Sequence, residues 1–364
     1  MKVNAKILIV AFISCVYSCS SQGDGSVTVV DVNGDKMFVT SYNDIKPDTA
    51  TILLSSLVEN CALTQLETND EAFFRPWFTT ITEKYIGVRN DQSQPYKLFD
   101  RSGSFLCNVG ASGQGPGEYA ISPYDDIIDD KNELVYIAPF MGDKILVYNT
   151  KGEFLKNIVT PQPLNKAKIF LSDNILTVIH MPFRETKAMM YQFNANTGQL
   201  LNELSAPEHF VVYDFDGEIF STRNVSGVFD FVHTNNDMLY HFDMNNNRIV
   251  PVFTMTSSHE DTWNNYLQIN KDMILTTVNI FKNNRFVPKG LVASDLKDMT
   301  SSHINIVNDF YGNMPVQASV VTFRNRYFVL NIQPEQLIVD IENRFPKAVV
   351  PKAISRNFEN CFQD

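Results

Sequence analysis

The chain has 364 residues and a net charge of −11 at pH 7. An acidic balance of this size argues against a nucleic-acid partner, because phosphates are bound by basic surfaces. Aromatic residues make up 12% of the chain, which provides ample material for a large core.

The first 18 residues are typical of a secretory signal. Lys2 and Lys6 precede a short apolar run at residues 7–13, and small residues follow it. The run is shorter than the ~20 residues that a membrane-spanning helix requires. We therefore predict a signal peptide at residues 1–18.

The end of this segment reads "VYSC" and resembles a bacterial lipobox, in which the cysteine becomes the lipidated first residue. Tyr17 departs from the small residue that is usual there. The polar "SSQGDG" that follows suits a flexible tether. We predict lipidation of Cys19, a lipid-anchor tether and N-terminal extension at residues 19–50, and a place in the cell envelope as an outer-membrane lipoprotein.

One pattern recurs six times after this extension: an apolar strand, an Asp or Asn, a tight turn, and another strand. The six positions are Asp100, Asn149, Asn194, Asp243, Asp295 and Asp340. Their spacing of about 45–52 residues matches the repeat of four-stranded propeller blades. A short Asp or Asn side chain accepts hydrogen bonds from backbone N–H groups in such a turn. We predict an all-β, six-bladed β-propeller with four-stranded antiparallel blades over residues 51–345, followed by a C-terminal tail at residues 346–364.

The glycine-rich stretch "GASGQGPGEY", residues 110–119, raises the alternative of a phosphate-binding loop. Its glycines at 110, 113, 115 and 117 match neither G-x-x-x-x-G-K-[ST] nor G-x-G-x-x-G. It follows the predicted outer strand of the first blade and precedes the inner strand of the second. We therefore predict a connector between two blades.

The stretches "LSSLVENCALTQLET", "FDRSGSFLCNVGASGQGPGEY" and "YNTKGEFL" together resemble the six-bladed β-propeller lipoproteins of Bacteroidetes, which are TolB-like or NHL-like propellers. The resemblance covers roughly residues 50–345. It implies a six-bladed fold and an envelope location, and it supplies no catalytic residues.

A closed propeller must join its first and last blades. The strand-like "CALTQLE", residues 61–67, has no place in the first blade, so we predict that it completes the sixth blade and closes the ring. This placement would bring Cys61 towards Cys361. A disulfide between them is one prediction, and two free thiols are the alternative.

Acidic residues gather near two predicted inner strands. They are Asp125, Asp126, Asp214 and Asp216. Carboxylates that converge in a central channel can hold Ca²⁺ through hard oxygen ligands. Solvated turns explain the same residues, so both interpretations stay open.

Aromatic and basic residues near the inner strands form a second candidate set, for which packing between blades is the alternative. The predicted binding residues are Arg75, Trp77, Tyr124, Asp125, Asp126, Arg223 and Trp263. Aromatic rings with arginine suit sugars, peptides or anionic ligands.

The sequence therefore favours an envelope lipoprotein that binds a protein, peptide or glycan without catalysis. One alternative is a metal-dependent hydrolase or lyase with its site in the central channel. Another is an accessory subunit of an outer-membrane uptake complex. A fold alone does not decide among these functions.

Overall fold

The structure, a computed structural model, describes residues 26–90, 94–213, 217–225, 229–258, 262–283, 285–316 and 322–330. Their regular secondary structure is β-strand apart from short 3-10 turns. Short 3-10 turns occur at Tyr42–Asp44, Leu54–Ser56, Glu208–Phe210 and Asp309–Tyr311. In this part of the chain, no helix is long and apolar enough to cross a membrane.

Three strands precede the first blade. They are β1 (Val27–Val32), β2 (Asp35–Ser41) and β3 (Thr49–Leu53). The first blade then contains β4 (Pro76–Ile81), β5 (Tyr85–Asn90), β6 (Tyr96–Asp100) and β7 (Phe105–Val109). Two short strands follow it, β8 (Ala111–Ser112) and β9 (Glu118–Tyr119).

Four more antiparallel blades follow in chain order. Blade 2 contains β10 (Pro123–Asp129), β11 (Leu134–Pro139), β12 (Met141–Asn149) and β13 (Phe154–Asn165). Blade 3 contains β14 (Lys168–Ser172), β15 (Ile175–Ile179), β16 (Ala188–Asn194) and β17 (Leu200–Ser205). Blade 4 contains β18 (Ile219–Phe220), β19 (Phe229–His233), β20 (Met238–Asp243) and β21 (Arg248–Thr256). Blade 5 contains β22 (Thr262–Gln268), β23 (Met273–Lys282), β24 (Arg285–Asp295) and β25 (Thr300–Asn308).

The described chain ends in short strands. They are β26 (Met314–Val316), which pairs with β25, and a separate hairpin of β27 (Thr322–Arg324) and β28 (Tyr327–Val329). The prediction of an all-β propeller with four-stranded antiparallel blades is confirmed in its architecture. The predicted count of six blades was wrong: the described residues form five, and their strands do not close a ring. The predicted turn at Asp340 lies outside the described residues.

The predicted closing strand at residues 61–67 was also wrong, because these residues form no strand. The N–H of Glu67 donates to the carbonyl of Gly103 over 2.8 Å, and its carboxylate accepts a hydrogen bond from the N–H of Phe105 over 2.8 Å. The end of the segment is thus tied to the β6–β7 turn of blade 1 by contacts of a loop.

The repeated Asp or Asn acts as predicted in all five blades. Each stands at the end of the third strand, and its side-chain oxygen accepts hydrogen bonds from backbone N–H groups of the turn. In blade 1, Asp100 Oδ1 accepts from Ser102 and Ser104 over 2.8 and 3.0 Å. The equivalent residues are Asn149, Asn194, Asp243 and Asp295. These bonds satisfy turn groups that the sheet cannot pair, so they fix where each hairpin begins.

Large apolar side chains fill the spaces between neighbouring blades. Leu98 of blade 1 packs with Val135 of blade 2, and Phe170 of blade 3 stacks on Phe229 of blade 4 with ring centroids 5.2 Å apart. Burial of each such side chain contributes roughly 1.5–3 kcal/mol. The core is therefore distributed among the interfaces and not concentrated in one centre.

The glycine-rich stretch leads from β7 to β10 through β8 and β9, as the connector prediction requires. Gly117 has φ +75°, and a Cβ there would lie 2.5 Å from the Phe154 ring. Positive φ and close packing both select glycine at this position.

The N-terminal strands lie along the outer edges of two blades. β2 pairs in parallel with β21 of blade 4, and β3 pairs in parallel with β25 of blade 5. Buried hydroxyls join this layer to blade 5: Thr40 Oγ1 lies 3.0 Å from Ser301 Oγ, which lies 2.8 Å from Ser294 Oγ. The pairing covers two strand edges that would otherwise be open to other chains.

Candidate functional site

Two adjacent aspartates of blade 2 lie where the blades converge. Asp125 and Asp126 stand on β10, the first strand of blade 2, and both are buried. Arginines reach them from β5 (Arg89), from the segment after β18 (Arg223) and from β27 (Arg324). We call these five residues the axial network. They come from blades 1, 2 and 4 and from the β27–β28 hairpin, so the axial network lies where these units meet.

Both carboxylate oxygens of Asp125 are occupied. Arg324 NH2 donates to Oδ1 over 2.5 Å, and the backbone N–H of Ile169 donates to Oδ2 over 2.8 Å. Burial alone would raise the pKa of Asp125, but the positive charges of Arg324 and Arg89 outweigh it and hold the pKa below its ordinary value. Asp125 is therefore ionised at neutral pH.

Asp126 is held in the same way. Its Oδ1 lies 2.9 Å from Arg89 Nε, and the Tyr96 hydroxyl donates to Oδ2 over 2.9 Å. Its backbone carbonyl accepts from Arg223 NH1 and Arg324 NH2 over 3.0 and 3.1 Å. The arginines therefore bind the main chain of β10 as well as its carboxylates.

The three guanidinium groups offer more donors than the two aspartates accept. Arg223 Nε, Arg223 NH2 and Arg324 Nε are buried, and none of them has a hydrogen-bond partner in the described structure. The guanidinium of Arg89 lies over the ring of Phe78 at 4.5 Å, and burial lowers its pKa. The axial network is thus rich in positive charge and donors.

Aromatic rings, one lysine and one glutamate lie beside the axial network: the Arg89 guanidinium lies over the Trp77 ring and donates to the carbonyl of Tyr124. We call this group, Trp77, Tyr124, Phe140, Lys168 and Glu218, the channel mouth. The ring of Tyr124 has its centroid 5.4 Å from that of Trp77 and 5.0 Å from that of Phe140. Its hydroxyl donates to the Glu218 carboxylate. Trp77 is 48% exposed, so its ring forms the solvent-facing end of this wall.

Lys168 brings a cation to the channel mouth. Its Nζ lies 4.0 Å above the Tyr124 ring centroid, which is a cation–π arrangement. Glu218 Oε1 is 3.9 Å away, beyond hydrogen-bond distance. Burial lowers the pKa of Lys168 to about 8, against the attraction of Glu218 and Asp125. Among the described residues, the ammonium group therefore has no carboxylate within hydrogen-bond distance, and it lies beside an exposed aromatic wall.

The structure brings together five of the seven predicted binding residues: Trp77, Tyr124, Asp125, Asp126 and Arg223. The other two are placed differently. Arg75 is exposed, and its backbone N–H donates to Asn90 Oδ1 over 2.9 Å. Trp263 packs edge-on against Phe286 of the long β23–β24 hairpin in blade 5.

The predicted metal ligands are not grouped as a metal site. Within the described ranges, no three His, Cys, Asp or Glu side chains come together closely enough to hold an ion. Asp214 and Asp216 lie outside those ranges. A calcium site at Asp125 and Asp126 stays a prediction, and the guanidinium groups of the axial network occupy the oxygens that such a site requires.

The cysteine predictions stay open, because Cys19 and Cys361 lie outside the described residues. Cys61 is partly exposed near Asp309, and its pKa is raised by burial and by the charge of that residue.

Sequence reasoning missed Arg89, Lys168 and Arg324. Arg89 is the one charged residue of the strand "YIGVRN", and Arg324 ends the short strand "TFR". A charge in such a strand is a signal that it has a buried partner. The signal does not identify that partner.

A family model described as a domain of unknown function (DUF4934) matches residues 37–357, and the chain belongs to this family. A similar solved structure is that of a candidate exported protein from Bacteroides fragilis NCTC 9343. It is 14% identical, with 66% of this chain and 74% of that chain covered and a TM-score of 0.50. A member of the DUF4221 family from Bacteroides vulgatus ATCC 8482 is 11% identical, with coverage of 67% and 88% and a TM-score of 0.44. None of the curated proteins matches. At this identity, the first likeness shows a shared fold and carries no function with it.

Proposed function

We propose that the protein is a binding protein of the cell envelope, anchored there by a lipid on Cys19, and that it holds its ligand at the channel mouth without catalysis. The envelope location is supported by the signal-like residues 1–18 and the lipobox-like "VYSC". The ligand classes that fit are those inferred from the sequence: a peptide, a glycan or part of a partner protein.

One observation carries the binding proposal. Trp77 exposes nearly half of its surface at the end of an aromatic wall, and the same wall holds the Lys168 ammonium group on the Tyr124 ring. Exposed aromatic surface beside a few fixed polar groups is the usual composition of a small-ligand site.

The absence of catalysis in this proposal rests on the axial network. Each aspartate is ion-paired with arginine, and Asp126 also accepts from Tyr96. A carboxylate held in this way is a poor proton acceptor, because its neighbours stabilise the charged form. The geometry therefore favours a binding site over the metal-dependent hydrolase or lyase.

The binding proposal is tested by tryptophan fluorescence, since the chain has two tryptophans and both are exposed. A Trp263→Phe chain keeps Trp77 as its sole reporter, and we expect saturable changes in its emission on titration with monosaccharides, uronic acids or short peptides. The matched Trp77→Phe chain reports from Trp263 and should not respond. Equal responses in both chains, or none in either, would contradict a site at the channel mouth.

The anchor is tested separately in cells. We expect that the chain incorporates radiolabelled fatty acid and fractionates with membranes, and that Cys19→Ala abolishes both. Stable attachment to a membrane requires more than one acyl chain. A protein that carries a single acyl chain would therefore appear partly in the soluble fraction. Equal labelling of the Cys19→Ala chain would rule out this anchor.

A further inference from the structure

We infer that the ligand of the channel mouth is a ring-bearing monocarboxylate, with its ring on Trp77 and its carboxylate on Lys168. This inference rests on the proposed function, because it names the ligand class of the same site. Two sources share this chemistry, an acidic sugar and an aromatic acid, and the experiment below separates them.

The first argument is the position of the Lys168 ammonium group. Its side chain is 12% exposed, its Nζ lies over the Tyr124 ring, and the Glu218 carboxylate is 3.9 Å away. An ammonium group that is largely withdrawn from water gains from a close acceptor. A ligand carboxylate would supply that acceptor as a charge-assisted hydrogen bond.

The second argument is the local charge of the axial network and the channel mouth. The described part of the axial network and channel mouth holds four cations against three carboxylates. The cations are Arg89, Lys168, Arg223 and Arg324, and the carboxylates are Asp125, Asp126 and Glu218. The excess donors of Arg223 and Arg324 lie within the same group. This positive excess stands within a chain of net charge −11, so it is a local feature that favours an anion.

The third argument is geometry. Trp77 and Lys168 both contact the ring of Tyr124: the Trp77 ring is tilted against it by 56°, and Lys168 Nζ lies over its centroid. A ligand of the size of one six-membered ring can therefore lie on Trp77 and still place an attached carboxylate near Lys168 Nζ. A neutral ring would gain the stacking contact alone.

The test uses the Trp263→Phe chain and two matched probe pairs: glucuronate against glucose, and phenylacetate against phenylacetamide. We expect the acid of at least one pair to bind roughly tenfold more tightly than its neutral partner, as one charge-assisted hydrogen bond provides. The pair that shows the difference identifies the sugar or the aromatic source. Lys168→Met should remove the difference between acid and neutral partner, and Lys168→Arg should restore part of it.

The pH dependence gives a second readout. The charged or titratable groups around Lys168 are Glu218, Asp125, Arg89, Arg324 and Tyr124. Burial raises the pKa of Tyr124, so it stays neutral, and Lys168 is the group that loses its charge as the pH rises through about 8. We expect acid binding to weaken over that range and neutral binding to stay constant.

The outcomes separate the two proposals. If acids and neutral partners bind equally, or if Lys168→Met changes nothing, the carboxylate inference is wrong and the binding site stands. If no probe of either charge changes Trp77 emission, both the inference and the proposed site at the channel mouth are contradicted.

Discussion

Replacing Asp125 with Asn is expected to lower the free energy of unfolding by about 3–5 kcal/mol, because it leaves buried guanidinium groups without their counter-charge. Asp125 Oδ1 accepts from Arg324 and lies 3.8 Å from both Arg89 and Arg223. An amide has one oxygen and one NH2 group. Either Arg324 or the Ile169 N–H would therefore face the NH2 group, which cannot accept a hydrogen bond. Urea unfolding followed by circular dichroism measures the change.

The matched control is Asp129→Asn at the end of the same strand. Asp129 Oδ1 accepts from the N–H groups of Lys131 and Asn132, which an asparagine oxygen can also do. We expect this change to stay within about 0.5 kcal/mol. Equal losses for the two substitutions would show that the axial network does not contribute specially to stability.

A second variant sharpens the same test. The network holds three arginines against two aspartates, so removal of one arginine reduces an excess of positive charge. Arg324→Met should therefore destabilise the protein less than Asp125→Asn. A larger loss for Arg324→Met would mean that the packing of this arginine over the Phe78 ring outweighs the charge balance.

The local features of this fold could be predicted from the sequence, because they depend on residues close together in the chain. Asp100 and its four counterparts accept hydrogen bonds from residues two to four positions later, so the pattern is visible in a short window. The blade repeat follows from their spacing. The N-terminal strands were not predicted, since β2 and β3 pair with strands more than 200 residues away.

The contacts of the candidate site could not be predicted from the sequence for the same reason. Asp125 and Arg324 are separated by 199 positions, and no local pattern links them. Sequence reasoning found the aromatic and acidic residues of inner strands, because strand position alone places them near the axis. It left calcium and solvated turns open for the aspartates, because the sequence does not show that Arg89 of β5 and Arg324 of β27 lie against them.

Acid should destabilise the protein between pH 6.5 and 4, because two histidines are buried in neutral form. Burial lowers the pKa of both His180 and His233 to about 4 from an ordinary value of 6.5. In this range the unfolded chain binds protons that the folded chain does not, so stability is complete above pH 6.5 and falls as the pH falls. Each histidine accounts for at most about 3 kcal/mol.

His233→Leu isolates one of these contributions. His233 is fully buried, with its ring edge-on to Phe210 at 5.0 Å, so leucine keeps an apolar contact and removes the titration. We expect the variant to lose markedly less stability than the parent between pH 7 and 4.5 in urea unfolding.

Asp237 changes the stability in the opposite direction over the same pH range. Burial raises the pKa of Asp237 to about 6, so its folded form binds a proton that the unfolded form does not, and this gains stability as the pH falls towards 4. Its contribution is common to the parent and to His233→Leu, so it cancels in the comparison. Parallel pH profiles for the parent and His233→Leu would therefore show that His233 is not held neutral in the folded protein.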